Sequence, residues 1–443
     1  MDLLMLKVGD KQVHLSGGEI VAPVKGCRRN LSKGKGESSE EKIEVVLHGL
    51  PVVVDDWLRM VEALFSRIDL GEQAVLCLKP AVNLPVYESR VICGRVELMG
   101  LGSMDLKRGG LGVALIIERE NFWEGEEVTV PLSNLHGSDV VNGLVVDNQY
   151  HPAMGMVNQA LIHGADILGE IPAPATVRIK NNDSKYLYTL GKIVVGQDVV
   201  YNLREEDAWI EGSLGSSSLN YGAVSNSGAS FGAYGLVQWS SMSVVEVVRF
   251  MLDNDRAARF GGRTVRPILR MFNVITTDDY WIRVKVKQGD AVEYSRWQKI
   301  VKYKKLQVLP AVHIPARDLR SNAMTAVIFV LELQRNVNET HLFTIDDIDL
   351  MPVDGYREYS NLGSDGLMWG ETLVDDLRND LIYSLGASSA YRSLYHRATG
   401  KGIWLMPGED QVVRVKFERT NGDCYPDHKV LLQMSYRPRR KNL

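Results

Sequence analysis

The sequence predicts a mostly β chain in three parts: an α+β sandwich domain, then a β-sandwich domain interrupted by a jelly-roll insertion. Three observations predict it. Short runs of alternating apolar and polar residues recur over most of the 443 residues. One stretch, residues 57–68, keeps a continuous helical face. Strand patterns around Val177 and Ile193 find no partners until residues 401–436, which implies that the chain between them is a module of its own. The parts are residues 1–139, residues 140–206 with 356–443, and the insertion 207–355.

Composition narrows the function classes. Apolar residues make up 45% and charged residues 24%, as in ordinary globular proteins, and 443 residues exceed one ordinary core. A formal net charge of -4 gives no polycationic footprint for general nucleic-acid binding. The apolar start Met1–Leu6 is too short for a membrane span and lacks the basic flank of a signal peptide, which predicts synthesis in a cytoplasm. Cys27, Cys77, Cys93 and Cys424 form no C-x-x-C pair, so buried free thiols are expected in place of zinc or a disulfide framework.

Residues 1–40 hold a basic, small-residue stretch, Lys25 to Gly36, without the G-x-x-x-x-G-K-[ST] spacing that aims amides at a phosphate, and read as a mobile arm or loop. Ile43, Val45 and Leu47 alternate as a strand. A helix follows, capped by Asp55, with Trp57, Val61, Leu64, Phe65 and Ile68 on one face and Leu70-Gly71 at its end. Strands are expected at Gln73–Lys79, Arg90–Leu98 and Leu111–Glu118. The carboxylates Glu118, Glu120, Glu124 and Glu126 crowd one edge without the separation that acid/base chemistry needs, and read as a solvated or subunit-facing edge.

The order strand, helix, strand, strand, strand over residues 41–128, followed by Glu118-Arg119 and Phe122-Trp123-Glu124-Gly125, resembles the amino-terminal domain of distal tail proteins of siphophages. That resemblance implies a tail-tube-like domain that builds a ring, most often a hexamer, continuing the tail tube, with tube, tape-measure and tail-hub proteins as partners.

Gly- and Ser-rich residues 212–235, with Tyr and Phe among them, read as an ordered lead into the insertion. Six strand-like runs follow: Met242–Leu252, Thr264–Phe272, Tyr280–Lys287, Gln298–Val308, Met324–Leu333 and Leu342–Leu350. In the last, Phe343 and Ile345 share one parity and Ile348 and Leu350 the other, so a β-bulge is expected at Asp346-Asp347, exposed to solvent, with calcium ligation by Asp346, Asp347 and Asp349 the alternative. Together with Leu309-Pro310 and Ala326–Leu333, this run resembles the end of carbohydrate-binding-module-like jelly rolls carried by long-tailed phages, and Trp404-Leu-Met-Pro-Gly408 resembles the carboxy-terminal domain of the same tail family.

After Gly355, Val413, Val415 and Phe417 oppose Arg414, Lys416 and Glu418 in a strand, residues 366–386 fit no single pattern, and Arg437–Lys441 reads as a solvated basic tail. No H-E-x-x-H or G-x-S-x-G occurs, so neither a metal cofactor nor an enzyme activity is expected. Trp281 lies on the parity of Arg283, Lys285 and Lys287, opposite the apolar Tyr280, Ile282, Val284 and Val286. It is the candidate platform for a sugar ring, or else the cover of a domain interface; Trp239 and Trp297 are further carbohydrate-binding candidates. The expected role is a virion structural protein of the distal tail or baseplate, assembled in the host cytoplasm and able to meet a host surface glycan. The alternative is a glycan-binding or glycan-cleaving protein outside any virion.

Overall fold

The computed structural model describes residues 3–17, 21, 28–32, 38–81, 83–99, 110–134, 137–138, 143–148, 150–151, 155–156, 158–182, 188–200, 209–240, 242–277, 279–316, 326–337, 339–362, 366–386, 390–424 and 428–441. The protein is mostly β. It divides into unit 1 (residues 1–128, 168–173 and 437–443) and unit 2 (residues 129–167 and 174–436). Cys27, Met324 and most of the Lys25–Gly36 stretch lie outside the described residues.

In unit 1, β1 (Leu3–Val8), β2 (Lys11–His14), β3 (Arg28–Ser32), β4 (Ser38–His48), β5 (Ala74–Lys79), β6 (Tyr87–Leu98) and β7 (Gly110–Glu120) form one sheet in the order β2-β1-β5-β6-β7-β4-β3. Helix α1 (Pro51–Asp69) covers one face with Trp57, Val61, Leu64, Phe65 and Ile68, the face read from the sequence. Asp55 is not its cap. The helix starts a turn earlier because Pro51 has the φ that a first turn needs, and Asp55 pairs with Arg59 on the surface. Gly94 lies under the Phe65 ring, where an added Cβ would come within 2.2 Å of the ring edge. β1 pairs with β5 over Leu3–Val8 and buries Leu4, Leu6 and Val8, and within the Lys25–Gly36 stretch, expected as a mobile arm or loop, Arg28–Ser32 pairs with β4 as strand β3.

The chain's other end also departs from expectation. Arg439–Arg440 forms a strand on β8 (Trp123–Glu124), Arg439 pairs with the buried Glu124 at 2.9 Å, and Arg437 pairs with Glu88 at 2.7 Å. The basic run is held by carboxylates because an unpaired buried Glu124 would be costly. Glu124 is therefore not part of a solvated edge.

Unit 2 contains two facing sheets of a sandwich. One has the order Gly137–Ser138, Ser133–Asn134, Gln159–Ile162, Gln411–Arg419, Leu190–Val199, Tyr356–Ser360, Ala398–Gly400. The other includes Leu144–Asp147, Lys429–Tyr436, Ala173–Asn181, Thr372–Asp376, Leu381–Leu385 and Tyr391–Ser393. Residues 366–386 thus supply a hairpin, turned at Leu377–Asp380, where Asp380 has φ +52.

Among the described residues, every strand between Trp209 and Pro352 pairs only within that span. Trp209–Glu211, Asp347–Pro352, Thr264–Arg270 and Leu306–Val308 make one sheet; Val245–Leu252, Val327–Arg335, Tyr280–Gln288 and Ala291–Tyr294 another; Asn220–Ser225, Ala233–Trp239 and His341–Ile345 a third. They share a core around Phe250, Phe260, Phe329, Phe343 and Leu350.

Two expected single strands are each two. Gln298–Lys299 and Leu306–Val308 belong to different sheets, as do His341–Ile345 and Asp347–Pro352. The phase change at Asp346 is therefore a crossing between sheets and not a bulge, and it is buried.

Candidate functional site

Two arrangements of side chains stand out in unit 2. The first is an outward sheet face built on the Tyr280–Gln288 strand. Its inward residues Tyr280, Ile282, Val284 and Val286 are in the core, which turns Trp281, Arg283, Lys285 and Lys287 outward. Trp281 is 38% exposed, with Gln334 and Lys299 opposite it on the flanking strands. The hairpin turn Gly289-Asp290 returns the chain so that Tyr294 sits opposite Lys285. The Arg283 guanidinium lies 4.3 Å from the Tyr294 ring centre and 4.6 Å from that of Trp297. Sequence parity pointed to Trp281. It passed over Tyr294, although a Gly-Asp pair between two strand patterns is a hairpin signal that would have found it.

A charge network underlies this face. Glu332 takes Arg283 at 2.6 Å and Lys285 at 3.2 Å, while Glu246 takes Lys285 at 2.7 Å and also binds Arg249. Burial alone would raise Glu246, but hydrogen bonds from Lys285 and Arg249 outweigh it and hold the carboxyl down to about 2. Lys285 is raised for the converse reason: its two carboxylates overcome its desolvation. The other two candidates differ from Trp281. Trp297 is half-buried beside Arg283, whereas Trp239, only 5% exposed, lies in the module core with its ring edge-on to Tyr280 and His341, out of reach of any ligand in solvent.

The second arrangement is a buried polar seam along the Gln411–Arg419 strand. Val413, Val415 and Phe417 enter the sandwich core. Arg414, Lys416 and Glu418, on the opposite parity, are equally buried, because residues 209–352 cover that face. Arg414 meets Asp349 at 3.1 Å; Lys416 binds Asp347 and lies 4.0 Å from the Trp209 ring centre; Glu418 accepts from Leu306 N at 3.0 Å and pairs with Lys304 at 3.2 Å.

Arg270 completes the seam. It contacts Asp346 at 3.0 Å and Asp347 at 2.8 Å and donates to the Asn148 carbonyl. On the adjacent strand Asp198 receives both Arg259 and Arg263 at 2.6 Å, and an added Cβ on Gly196 would come within 2.6 Å of Met351. Burial pushes Asp347 up, but Lys416 and then Arg270 reverse it and hold the carboxyl below its ordinary range; Asp349 is raised because burial outweighs Arg414. The three aspartates face Arg270, Lys416 and Arg414, an arrangement of ion pairs with no oxygen cage for calcium. Among the described residues no group of three metal-ligating side chains occurs.

No family model matches the chain, and no curated protein matches it. Five solved chains match in outline, among them two phage baseplate chains. One is described as the structure of the phage p2 baseplate in its activated conformation with Sr (8% identity, TM-score 0.24, covering 78% of this chain and 98% of that chain). The other is described as the phage P2 baseplate in its activated conformation with Ca (8% identity, TM-score 0.24, 76% and 99%). Structural neighbours thus include phage baseplate chains, but at a TM-score of 0.24 the likeness carries no argument about role.

Proposed function

We propose that the chain is a structural component of a phage or phage-like tail, at the distal tail or baseplate. Unit 1 forms a ring, most simply a hexamer, that continues the tail tube. Residues 207–355 form a nested, outward module for adhesion, and the protein acts by assembly and not catalysis.

The observation that supports this reading is the build of unit 1. One helix lies on an open sheet in the order of elements on which the resemblance to distal tail proteins rests. The outer strands β2 and β3 leave two unlike edges, and a contact between unlike surfaces closes into a ring when its rotation closes. Light scattering and negative-stain images of the purified chain test it. A ring is the expected result; a clean monomer at high concentration, with no association with tail particles, overturns the ring.

The Trp281 face favours one addition, that the module binds a glycan, with the exposed indole as the stacking platform. The same observation also fits a glycan-binding protein outside any virion. Antibody labelling of intact particles separates the two: a label at the tail tip supports the virion reading, and its absence from particles supports the other.

A further inference from the structure

Resting on the reading of Trp281 as a glycan platform, we propose that the glycan it takes is acidic, with negatively charged sugar rings. The strand registers decide which side chains share the platform. Pointing outward with Trp281 are Arg249, Arg283, Lys285, Lys287 and Lys299, against the carboxylates Glu246 and Glu332. Among the described residues of this face, five cations meet two carboxylates, although the chain as a whole carries -4. The sign of the face is opposite to that of the molecule.

Distances on a sheet make the excess local to the indole. Lys299 lies directly across from Trp281, where paired Cβ atoms are about 5 Å apart. Arg283 follows two residues along the same strand, about 6.6 Å away. A sugar ring lying flat on the indole therefore carries a ring substituent within reach of one cation or the other.

Glu332 is the most buried member of the network, and Lys285, at 11% side-chain exposure, lies deeper than Glu246 at 19%. Glu332 is 4% exposed, whereas Arg249 and Lys299 stand in solvent. A ligand approaching from outside meets Arg249 and Lys299 first, and an anion in that position gains attraction where a neutral sugar gains only stacking.

The test uses the full chain in a binding array of acidic and neutral polysaccharides, with polygalacturonate and dextran as the reference pair and polyglutamate as a polyanion without sugar rings. Polygalacturonate is expected to bind at least tenfold more tightly than dextran or polyglutamate and to weaken as salt rises. Trp281→Ala should abolish that binding, and Lys299→Glu should weaken it at least fivefold. Lys401→Glu, the same charge change on an exposed residue outside residues 207–355, should not alter it. Melting curves confirm that each variant is folded.

Dextran binding as tightly as polygalacturonate, or indifference to Lys299→Glu, overturns the acidic preference while leaving the glycan reading standing. Polyglutamate binding equally well overturns it too, since the ring then plays no part. A folded chain that binds no polysaccharide of either kind overturns the glycan reading itself.

Discussion

Asp347 is fully buried, and its two oxygens are taken by Lys416, Arg270 and the Ser230 hydroxyl. Asp347→Ala leaves Lys416 buried without its anion and Arg270 with Asp346 as its remaining carboxylate, and we expect a loss of about 3–5 kcal/mol in chemical denaturation. Replacing Asp349 and Arg414 together by Leu and Met removes both charges of a buried pair, and should cost far less than either change alone. A solvent-facing counterpart is Glu246. Its carboxyl is depressed in the folded chain, so the stability it contributes is present above its unfolded value near 4.5 and is lost as pH falls through about 2. Wild type should therefore exceed Glu246→Gln in melting temperature at pH 5 to 7, with the gap closing toward pH 2. A gap that persists unchanged at pH 2 would show that the network contributes nothing through charge.

At the scale of elements, the informative segment is the short strand Arg439–Arg440. It adds only two residues to the unit 1 sheet, yet it neutralises Glu124, and Arg437 neutralises Glu88. Arg439 also lies 3.8 Å over the Phe122 ring. Ending the chain at Tyr436 should destabilise unit 1 by roughly 3 kcal/mol, the order of cost when a buried carboxylate loses an ion-pair partner. Adding Glu124→Gln to the truncated chain should return part of that loss. If truncation leaves the melting curve unchanged, the strand is only a surface attachment.

For the whole molecule, the nested layout remains our proposal, and the seam gives it a measurable consequence. Trp209 pairs with Asp349, so the module's first and last strands are neighbours and a short linker can replace what lies between. Excising residues 207–355 returns Arg414, Lys416 and Glu418 to water, where charges are well solvated, but it also uncovers Val194, Tyr356 and Cys424 from their contacts with Ile268, Leu306 and Met351. The remainder should stay folded and unfold cooperatively at a lower denaturant midpoint, with a greater tendency to self-associate. Loss of cooperative unfolding would mean that the sandwich cannot stand without the module.

Periodicity by itself determined the mostly β class, the buried face of α1, most strand positions and the outward parity of Trp281, because a side chain's face within one element depends only on its spacing along the chain. Tertiary structure decided what each face meets. The Arg414, Lys416 and Glu418 parity has the pattern of a solvated face and is buried, since a second layer brings it matching carboxylates. Asp346 and Asp347 have the pattern of a bulge and mark a crossing between sheets, since a phase change records that the chain turns without recording what it then pairs with. The basic carboxy-terminal run and Tyr294 found their places the same way, through partners distant in sequence. Strand pairing, layer stacking and the neutralisation of buried charge are relations between elements, and no local spacing encodes them.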